Sequence, residues 1–179
     1  MNVMSPSIAI SPLSVTEAMD HVAELGALLH ACVHNGASIG FVLPFTMAEG
    51  ETYWRRKVLP RVQDGCVILL VARIDGWIVG SVQLDYDTPP NQPHRAEVRK
   101  LLVHPDCRRQ GIAKALMAAI ERRAAALGRS LLTLDTRAGD HAVPLYTALG
   151  YLTAGIIPGY CRDPFEAKLD PTTVMYKAL

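Results

Sequence analysis

Residues 101–114 read Leu101-Leu102-Val103-His104-Pro105-Asp106-Cys107-Arg108-Arg109-Gln110-Gly111-Ile112-Ala113-Lys114, and they join a predicted strand to a predicted helix. Pro105 ends the strand after Val103 because proline has no backbone N–H to donate. The amides of the following first helical turn have no intrahelical partner, and the helix dipole adds partial positive charge there. Gly111 lets the backbone approach a ligand closely, Ala113 keeps the next turn small, and three side chains add positive charge: Arg108, Arg109 and Lys114. The stretch therefore predicts an anion site sized for a phosphate group.

Two common phosphate-binding motifs do not fit this stretch. It lacks the G-x-x-x-x-G-K-[ST] pattern of a Walker A loop and the G-x-G-x-x-G pattern of a dinucleotide fold. A kinase-like nucleotide module would also need a metal-binding carboxylate and a P-loop lysine, and neither is placed correctly. The structural alternative is a helix start that happens to be basic and to carry a glycine.

The rest of the chain predicts the element order β-α-α-β-β-β-α-β-α-β-β. Capping boxes at 14–17 and 46–49 open helices that run to about Cys32 and Val62. Asp75-Gly76 is a strong hairpin signal. The remaining predicted helices are 110–127 and 142–149, and the predicted strands are 8–10, 67–73, 77–86, 96–103, 130–136, 151–157 and 173–177. This order predicts one domain over residues 1–179, an α/β three-layer fold with a mixed, mostly antiparallel sheet flanked by helices.

Two motifs in this order resemble the GNAT superfamily of N-acetyltransferases, and the resemblance covers nearly the whole chain. R-x-x-G-x-A at 108–113 is similar to the acetyl-CoA loop of that superfamily, and AVPLYTALGY at 142–151 to its A-x-x-L-Y-x-x-x-G-[FY] helix. Shorter segments resemble the tabtoxin-resistance branch, whose members acetylate a small amino-acid-like toxin: HNGASIGF at 34–41, AEVRKL at 96–101, LDT at 134–136 and PGYC at 158–161. The resemblance implies a GNAT-like fold, acetyl-CoA as cosubstrate, a small-molecule amine as acceptor, and toxin resistance as a role.

The resemblance also implies which residues meet the cofactor. The pantetheine arm is expected to pair with the strand before the loop, with a backbone N–H near Leu102 or Val103 polarising the acetyl carbonyl. The expected cofactor-binding residues are Leu101, Leu102, Val103, Arg108, Arg109, Gln110, Gly111, Ile112, Ala113 and Lys114. One position departs from the family pattern, because Gly139 stands where many members carry Asn, seven residues before the tyrosine. Asp140 is the candidate to supply what that Asn contributes.

Three residues are candidates for catalysis, which requires a neutral amine and a protonated leaving thiolate. Glu97 lies where the resemblance places a base, and it shares side-chain parity with Arg99, Leu101 and Val103 if the strand is regular. The resemblance also implies that a bulge is common here, and a bulge would alter that parity. Asp135, ending the next strand, is the second candidate base, and either carboxylate could act through water or serve as a structural carboxylate. Tyr146 is the candidate general acid, since a phenol is protonated at neutral pH; its structural alternative is a packed core tyrosine.

Composition excludes several other classes. The chain has 18 basic and 17 acidic residues, a net charge of +1, so no basic surface indicates nucleic-acid binding. The four cysteines and six histidines are dispersed without metal-ligand spacing, and we expect no metal. No signal peptide or membrane span is evident, which favours a cytoplasmic protein without membrane contact.

Three questions stay open from the sequence. A sensor that binds acetyl-CoA without catalysis, and an acetyltransferase that acts on protein amines, are the alternative functions. The pocket walls are expected to be loops at 35–45 and 158–168. The oligomeric state is undetermined, with a homodimer as one alternative.

Overall fold

The computed structural model describes residues 7–179, which build one seven-stranded sheet in the order β1-β2-β3-β4-β5-β7-β6. Neighbouring strands are antiparallel except β4 and β5, which are parallel. The strands are β1 (Ala9–Pro12), β2 (Val67–Ile74), β3 (Trp77–Asp85), β4 (Arg95–Val103), β5 (Leu131–Arg137), β6 (Leu152–Arg162) and β7 (Leu169–Ala178). The α/β fold with a mixed, mostly antiparallel sheet is thus confirmed.

Helices cover both faces of this sheet and give the three layers. They are α1 (Val15–Asp20), α2 (Val22–His34), α3 (Met47–Tyr53), α4 (Leu59–Gln63), α5 (Ile112–Ala126) and α6 (Ala142–Ala148), with a π-helical turn Trp54–Val58 and a 3₁₀ turn Pro105–Cys107. One core lies between the sheet and α5, around Leu116 and Ile120. The other lies between the opposite face and α1 to α4, around Leu29 and Trp54. No helix within 7–179 is both long enough and apolar enough to cross a bilayer.

The sheet splits between β4 and β5. These strands pair only at Arg95, Ala96 and Glu97, opposite Leu131 to Thr133, whereas β5 pairs with β7 along its whole length. The second half of β4, from Val98 to Val103, therefore has β3 as a partner on one side and a gap on the other. A gap of this kind leaves backbone N–H and C=O groups free to pair with an extended ligand.

A β-bulge lies at the start of this gap. Ser81 pairs with Leu102 but Gln83 pairs with Arg99, so β4 has one residue more than β3 over this segment. Lys100 is the extra residue and has a φ of 51°, in the left-handed region that L-amino acids rarely adopt. The bulge reverses the side-chain alternation of the residues that follow it.

Three sequence expectations about elements were wrong. The first helix is not continuous to Cys32, because His21 leaves the helical conformation (φ −105°, ψ 16°) and divides it into α1 and α2. The second helix is interrupted by the π-helical turn before α4. Residues 158–162 are not loop, since β6 continues to Arg162. The glycine and proline there form a bulge within the strand, with Ile157 opposite Thr172 and Cys161 opposite Asp170.

Candidate active site

The loop before α5 has the geometry of a phosphate-binding helix start. Gly111 is the N-cap with φ 83° and ψ 0°, and Arg109 is also left-handed, at φ 64°. A Cβ added at Gly111 would meet nothing within 4 Å, so the backbone there faces open space. The first turn of α5 starts at the buried Ile112, which anchors the loop in the core. Free amides, open space and the positive helix end together form an anion site.

Basic side chains surround this helix start. Arg108, Arg109 and Lys114 are all exposed. The Arg108 guanidinium donates to Asn35 Oδ1 at 2.5 Å, which ties the loop to the end of α2. The predicted residues 108–114 therefore come together on one surface, at the mouth of the gap between β4 and β5.

The backbone of β4 turns one of its amides toward the gap. The His104 N–H donates to Val79 O on β3 at 2.8 Å. Because successive residues of a strand direct their backbone groups to alternate sides, the Val103 N–H points away from β3, into the gap. Of the two positions considered for polarising a carbonyl, Leu102 and Val103, the strand geometry favours Val103.

Glu97 lies on a different face from the one expected of a regular strand. Ala96 and Val98 face the α5 core, as do Leu101 and Val103 beyond the bulge. Glu97 projects to the opposite face, so the parity of a regular strand does not hold for Leu101 and Val103, because the strand has the bulge that the resemblance implied as the alternative. Glu97 is partly exposed, with its Oε1 atom 3.7 Å from Arg99 Nε.

Asp135 lies across the gap on β5, where it is exposed and accepts a hydrogen bond from Thr172 Oγ1 at 3.3 Å. Burial lowers the pKa of Lys100 and raises the pKa of Tyr146; the charge of Asp135 opposes the first change and adds to the second, which places Asp135 within electrostatic reach of both side chains. The structure therefore gathers Asp135, Tyr146 and the Lys100 bulge around the gap.

Tyr146 is held in α6 with 7% of its surface exposed. Burial, helped by the charges of Asp135 and Asp140, raises the pKa of Tyr146, so the phenol stays protonated. Its ring lies 5.7 Å from that of Tyr151. The position therefore combines core packing with a protonated hydroxyl near the gap.

Gly139, the position that departs from the family pattern, adopts φ 78° and has open space beside it. The contacts of Asp140 among the described residues are local. Its Oδ1 accepts from the His141 N–H at 2.6 Å, and its Oδ2 lies 3.5 Å from Arg137. Asp140 thus stabilises the start of α6 and a local ion pair.

Lys100 is a site residue that the sequence reasoning missed. Its ammonium group donates to Ile39 O and lies 5.6 Å from the Phe41 ring and 5.9 Å from the Tyr53 ring. Burial, with the positive charge of Arg99, lowers its pKa to about 8. The available signal was a lysine within a predicted strand, directly before the apolar run Leu101-Leu102-Val103, since lysine is almost never buried without a partner.

The two expected pocket walls contact each other. The Leu43 N–H donates to Pro164 O at 3.0 Å, and the Arg137 guanidinium donates to Gly36 O at 3.2 Å. Ser38 Oγ lies 3.5 Å from Cys161 Sγ. The turn between β6 and β7 therefore closes over residues 35–45 on the face that carries Glu97.

Comparisons with known proteins agree with this geometry. The family model described as the acetyltransferase (GNAT) family matches residues 40–151, more than half of the chain. An uncharacterised N-acetyltransferase from the hisH–hisA intergenic region of Azospirillum brasilense is 34% identical over 114 residues. That alignment covers 63% of this chain and 66% of the relative, so the chain spans slightly less than two thirds of the relative's length.

Solved structures share the fold at low identity. An acetyltransferase candidate from Acinetobacter baylyi ADP1 has a TM-score of 0.80 at 16% identity, covering 98% of this chain and 94% of that one. The protein yncA from Salmonella typhimurium, described with its cofactor acetyl-CoA, has a TM-score of 0.76 at 16% identity, covering 96% and 94%. The fold and site define a three-layer α/β protein with a split sheet and a phosphate-binding helix start. This chain belongs to the GNAT acetyltransferase family.

Proposed function

We propose that this protein is an acetyl-CoA-dependent N-acetyltransferase that acts on a small amine. The observation that carries the proposal is the gap between β4 and β5, which opens directly onto the amides of the Gly111 loop. The residues present fit acetyl-CoA: an unpaired strand edge suits the amides of the pantetheine arm, and the basic helix start suits its pyrophosphate. When bound, acetyl-CoA supplies the activated acetyl thioester.

The chain's own groups then have distinct roles. The amides around Gly111, with Arg108, Arg109 and Lys114, bind phosphate oxygens. Leu101, Leu102 and Val103 present the strand edge that orients the arm, and the Val103 N–H stabilises negative charge on the carbonyl oxygen. The buried side chain of Ile112 keeps this helix start rigid.

A base is required because amines are protonated at neutral pH. An amine with a pKa of about 10.4 costs about 4.6 kcal/mol to deprotonate at pH 7, whereas an α-amino group near 7.8 costs only about 1 kcal/mol. We assign this role to Asp135 or Glu97, directly or through a water molecule. Asp135 is exposed at the gap, and Glu97 faces the acceptor side of β4, so both are accessible to an incoming amine.

Tyr146 is the proposed donor to the leaving thiolate. Burial raises the pKa of Tyr146, which makes it a weaker acid than tyrosine in water. The hydroxyl therefore keeps its proton throughout the physiological pH range. Such a hydroxyl stabilises a developing thiolate by hydrogen bonding while the carbon–sulfur bond breaks.

We propose an amino-acid-like acceptor. The segments 34–41 and 158–161 resemble the tabtoxin-resistance branch, whose members acetylate such a molecule. The associated role would be toxin resistance. The hydrogen bond between Leu43 N–H and Pro164 O supports this choice of acceptor, because a contact between the two expected pocket walls leaves less room for a protein amine than for a small molecule.

A thiol-release assay tests the proposal. With acetyl-CoA and a panel of amino acids, dipeptides, polyamines and peptides, we expect amine-dependent CoA release for the small amines. Acetylation of folded proteins or peptides alone would remove the branch assignment, leaving family membership intact.

A further inference from the structure

A cavity of about 410 Å³ lies beside the Lys100 bulge, on the face of the sheet that carries Glu97 and that α1 to α4 cover. We call this face the acceptor face. The floor of the cavity is Gln83 on β3 and Arg99 on β4, and the α3–α4 segment provides Lys57 and Arg61. None of the residues that we assign to acetyl-CoA, 101–103 and 108–114, lines this cavity, although Arg99 and Lys100 belong to the part of β4 that borders the gap. The cavity is therefore separate from the surface that we assign to acetyl-CoA.

Gln83 marks a place for a missing partner. The residue is 5% exposed, and within residues 7–179 its Nε2 group makes no well-aligned hydrogen bond. The Tyr53 hydroxyl is a polar neighbour, and its pKa is raised by burial and partly lowered again by the Gln83 amide. Buried side-chain amides in native proteins are nearly always hydrogen-bonded. Because Gln83 lines the cavity, a ligand oxygen that enters there can accept a hydrogen bond from its amide.

The charges around the cavity indicate the sign of that ligand. Four cationic side chains line it: Lys57, Arg61, Arg99 and Lys100. Asp85 holds two of them, accepting from Arg61 at 2.6 and 3.0 Å and from Arg99 at 3.0 Å.

The other cations keep bonding capacity for a ligand. Among the described residues no carboxylate lies within 4 Å of Lys57, and the ammonium group of Lys100 is held by a neutral carbonyl. The carboxylates of Asp87, near Arg61, and Glu97, near Arg99, offset part of the charge but do not line the cavity.

We propose that this cavity binds the acid group of the acceptor, a carboxylate or another oxyanion, through Gln83, Lys57 and Lys100. Resting on the proposed function, this inference assigns the two ends of the substrate. The amine lies at the gap beside Asp135 and Glu97, and the acid group extends past the Lys100 bulge into the cavity. The enzyme is then selective for amines that also carry an acid.

Matched substrate pairs test the selectivity. We would measure kcat/KM for several amino acids and their carboxamides, and express each result as an acid-to-amide ratio. The amines of an acid and its carboxamide have different pKa values, and this difference affects the ratio. Because it is the same for every variant of the enzyme, it cancels when the ratio is compared between variants. We expect the parent enzyme to favour the acids, and Lys57→Glu to lower the ratio at least tenfold.

A second variant and a control separate a ligand contact from a general charge effect. Gln83→Glu keeps the shape of the side chain but replaces an N–H donor with an anion, and it should also lower the ratio at least tenfold. Arg56→Glu changes the net charge equally one residue from Lys57, outside the cavity lining, and should leave the ratio within twofold. Lys57 is exposed, so its variant should fold even if the Gln83 variant does not.

The outcomes distinguish this inference from the proposed function. Equal ratios in the parent, Lys57→Glu and Arg56→Glu enzymes, with acetyl transfer intact, would overturn the acid subsite alone. Absence of transfer to every amine would overturn the proposed function. In that case inorganic sulfate tests the cavity independently of catalysis. We expect sulfate to raise the Tm of the parent more than the Tm of Lys57→Glu. Equal Tm shifts in the two proteins would overturn the acid subsite.

Discussion

Replacing Tyr146 with phenylalanine removes one hydroxyl and leaves the ring in place. The 5.7 Å contact with the Tyr151 ring is retained, and no hydrogen bond to the Tyr146 hydroxyl is found among residues 7–179, so no partner is left unsatisfied. We therefore expect the free energy of unfolding to change by less than about 1 kcal/mol. If the hydroxyl protonates the leaving thiolate, kcat should fall by roughly 10²–10⁴, or about 2.7–5.5 kcal/mol of barrier.

The assay is steady-state thiol release combined with calorimetric titration of acetyl-CoA. The loss should appear in kcat more than in KM, because the proton is needed only as the transition state breaks down. Since burial raises the pKa of Tyr146, its ionisation should not cause a decline in kcat below about pH 10.

Tyr151→Phe is a matched control, because the Tyr151 hydroxyl is also buried, with Glu121 nearby, but belongs to no proposed catalytic step. It should leave kcat close to that of the parent. A Tyr146→Phe enzyme that binds acetyl-CoA normally and turns over within threefold of the parent would refute the assignment.

Three further predictions concern the loop, the carboxylates and the bulge. Gly111→Glu should weaken acetyl-CoA binding, measured by calorimetry, at least tenfold, or about 1.4 kcal/mol. Gly111→Ala has the same left-handed strain but no charge, and its affinity should stay within threefold of the parent's. Equal affinities for the parent and the Glu variant would show that the loop is not part of the site. Glu97→Gln or Asp135→Asn should reduce kcat/KM more for lysine-like amines than for α-amino groups, because a lysine-like amine costs more to deprotonate at neutral pH. Equal losses for both kinds of amine would contradict a base role. Burial and Arg99 lower the pKa of Lys100 from 10.5 to about 8 in the folded protein. Between these two pH values the unfolded chain binds the proton more tightly than the folded protein does, so the free energy of unfolding rises with pH. The contribution of Lys100 to stability should therefore increase by about 2–3 kcal/mol from about pH 8 to pH 10. Urea unfolding of Lys100→Met should lack that increase, and parallel pH profiles for both proteins would show that Lys100 is not buried as described.

Local sequence patterns predicted the elements that carry the cofactor site. Pro105 ends β4, Gly111 precedes α5, and both capping boxes form as expected, at Ser14 and Thr46. These signals depend on backbone chemistry within a few residues, which is why sequence alone contains them.

The acceptor side could not be predicted in the same way. The bulge at Lys100, which puts Glu97 on the face opposite Leu101 and Val103, results from pairing with β3. No local pattern around 97–103 requires it, and only the family resemblance implied that a bulge is common there. The continuation of β6 to Arg162 depends on pairing with β7 across a bulge. Gln83 and Lys57 are far apart in the sequence and meet only when the α3–α4 segment packs over the sheet. The single domain, the cytoplasmic location and the homodimer stay predictions.

The most direct test of the account is amine-dependent transfer from acetyl-CoA. The purified protein is incubated with acetyl-CoA and a panel of amines, free thiol is followed over time, and the products are analysed by mass spectrometry. We expect CoA release that depends on an amine, one acetyl group added to that amine, and loss of release in Gly111→Glu. Protection from thermal unfolding by acetyl-CoA without acetylation of any amine would contradict this expectation and identify a binding protein instead.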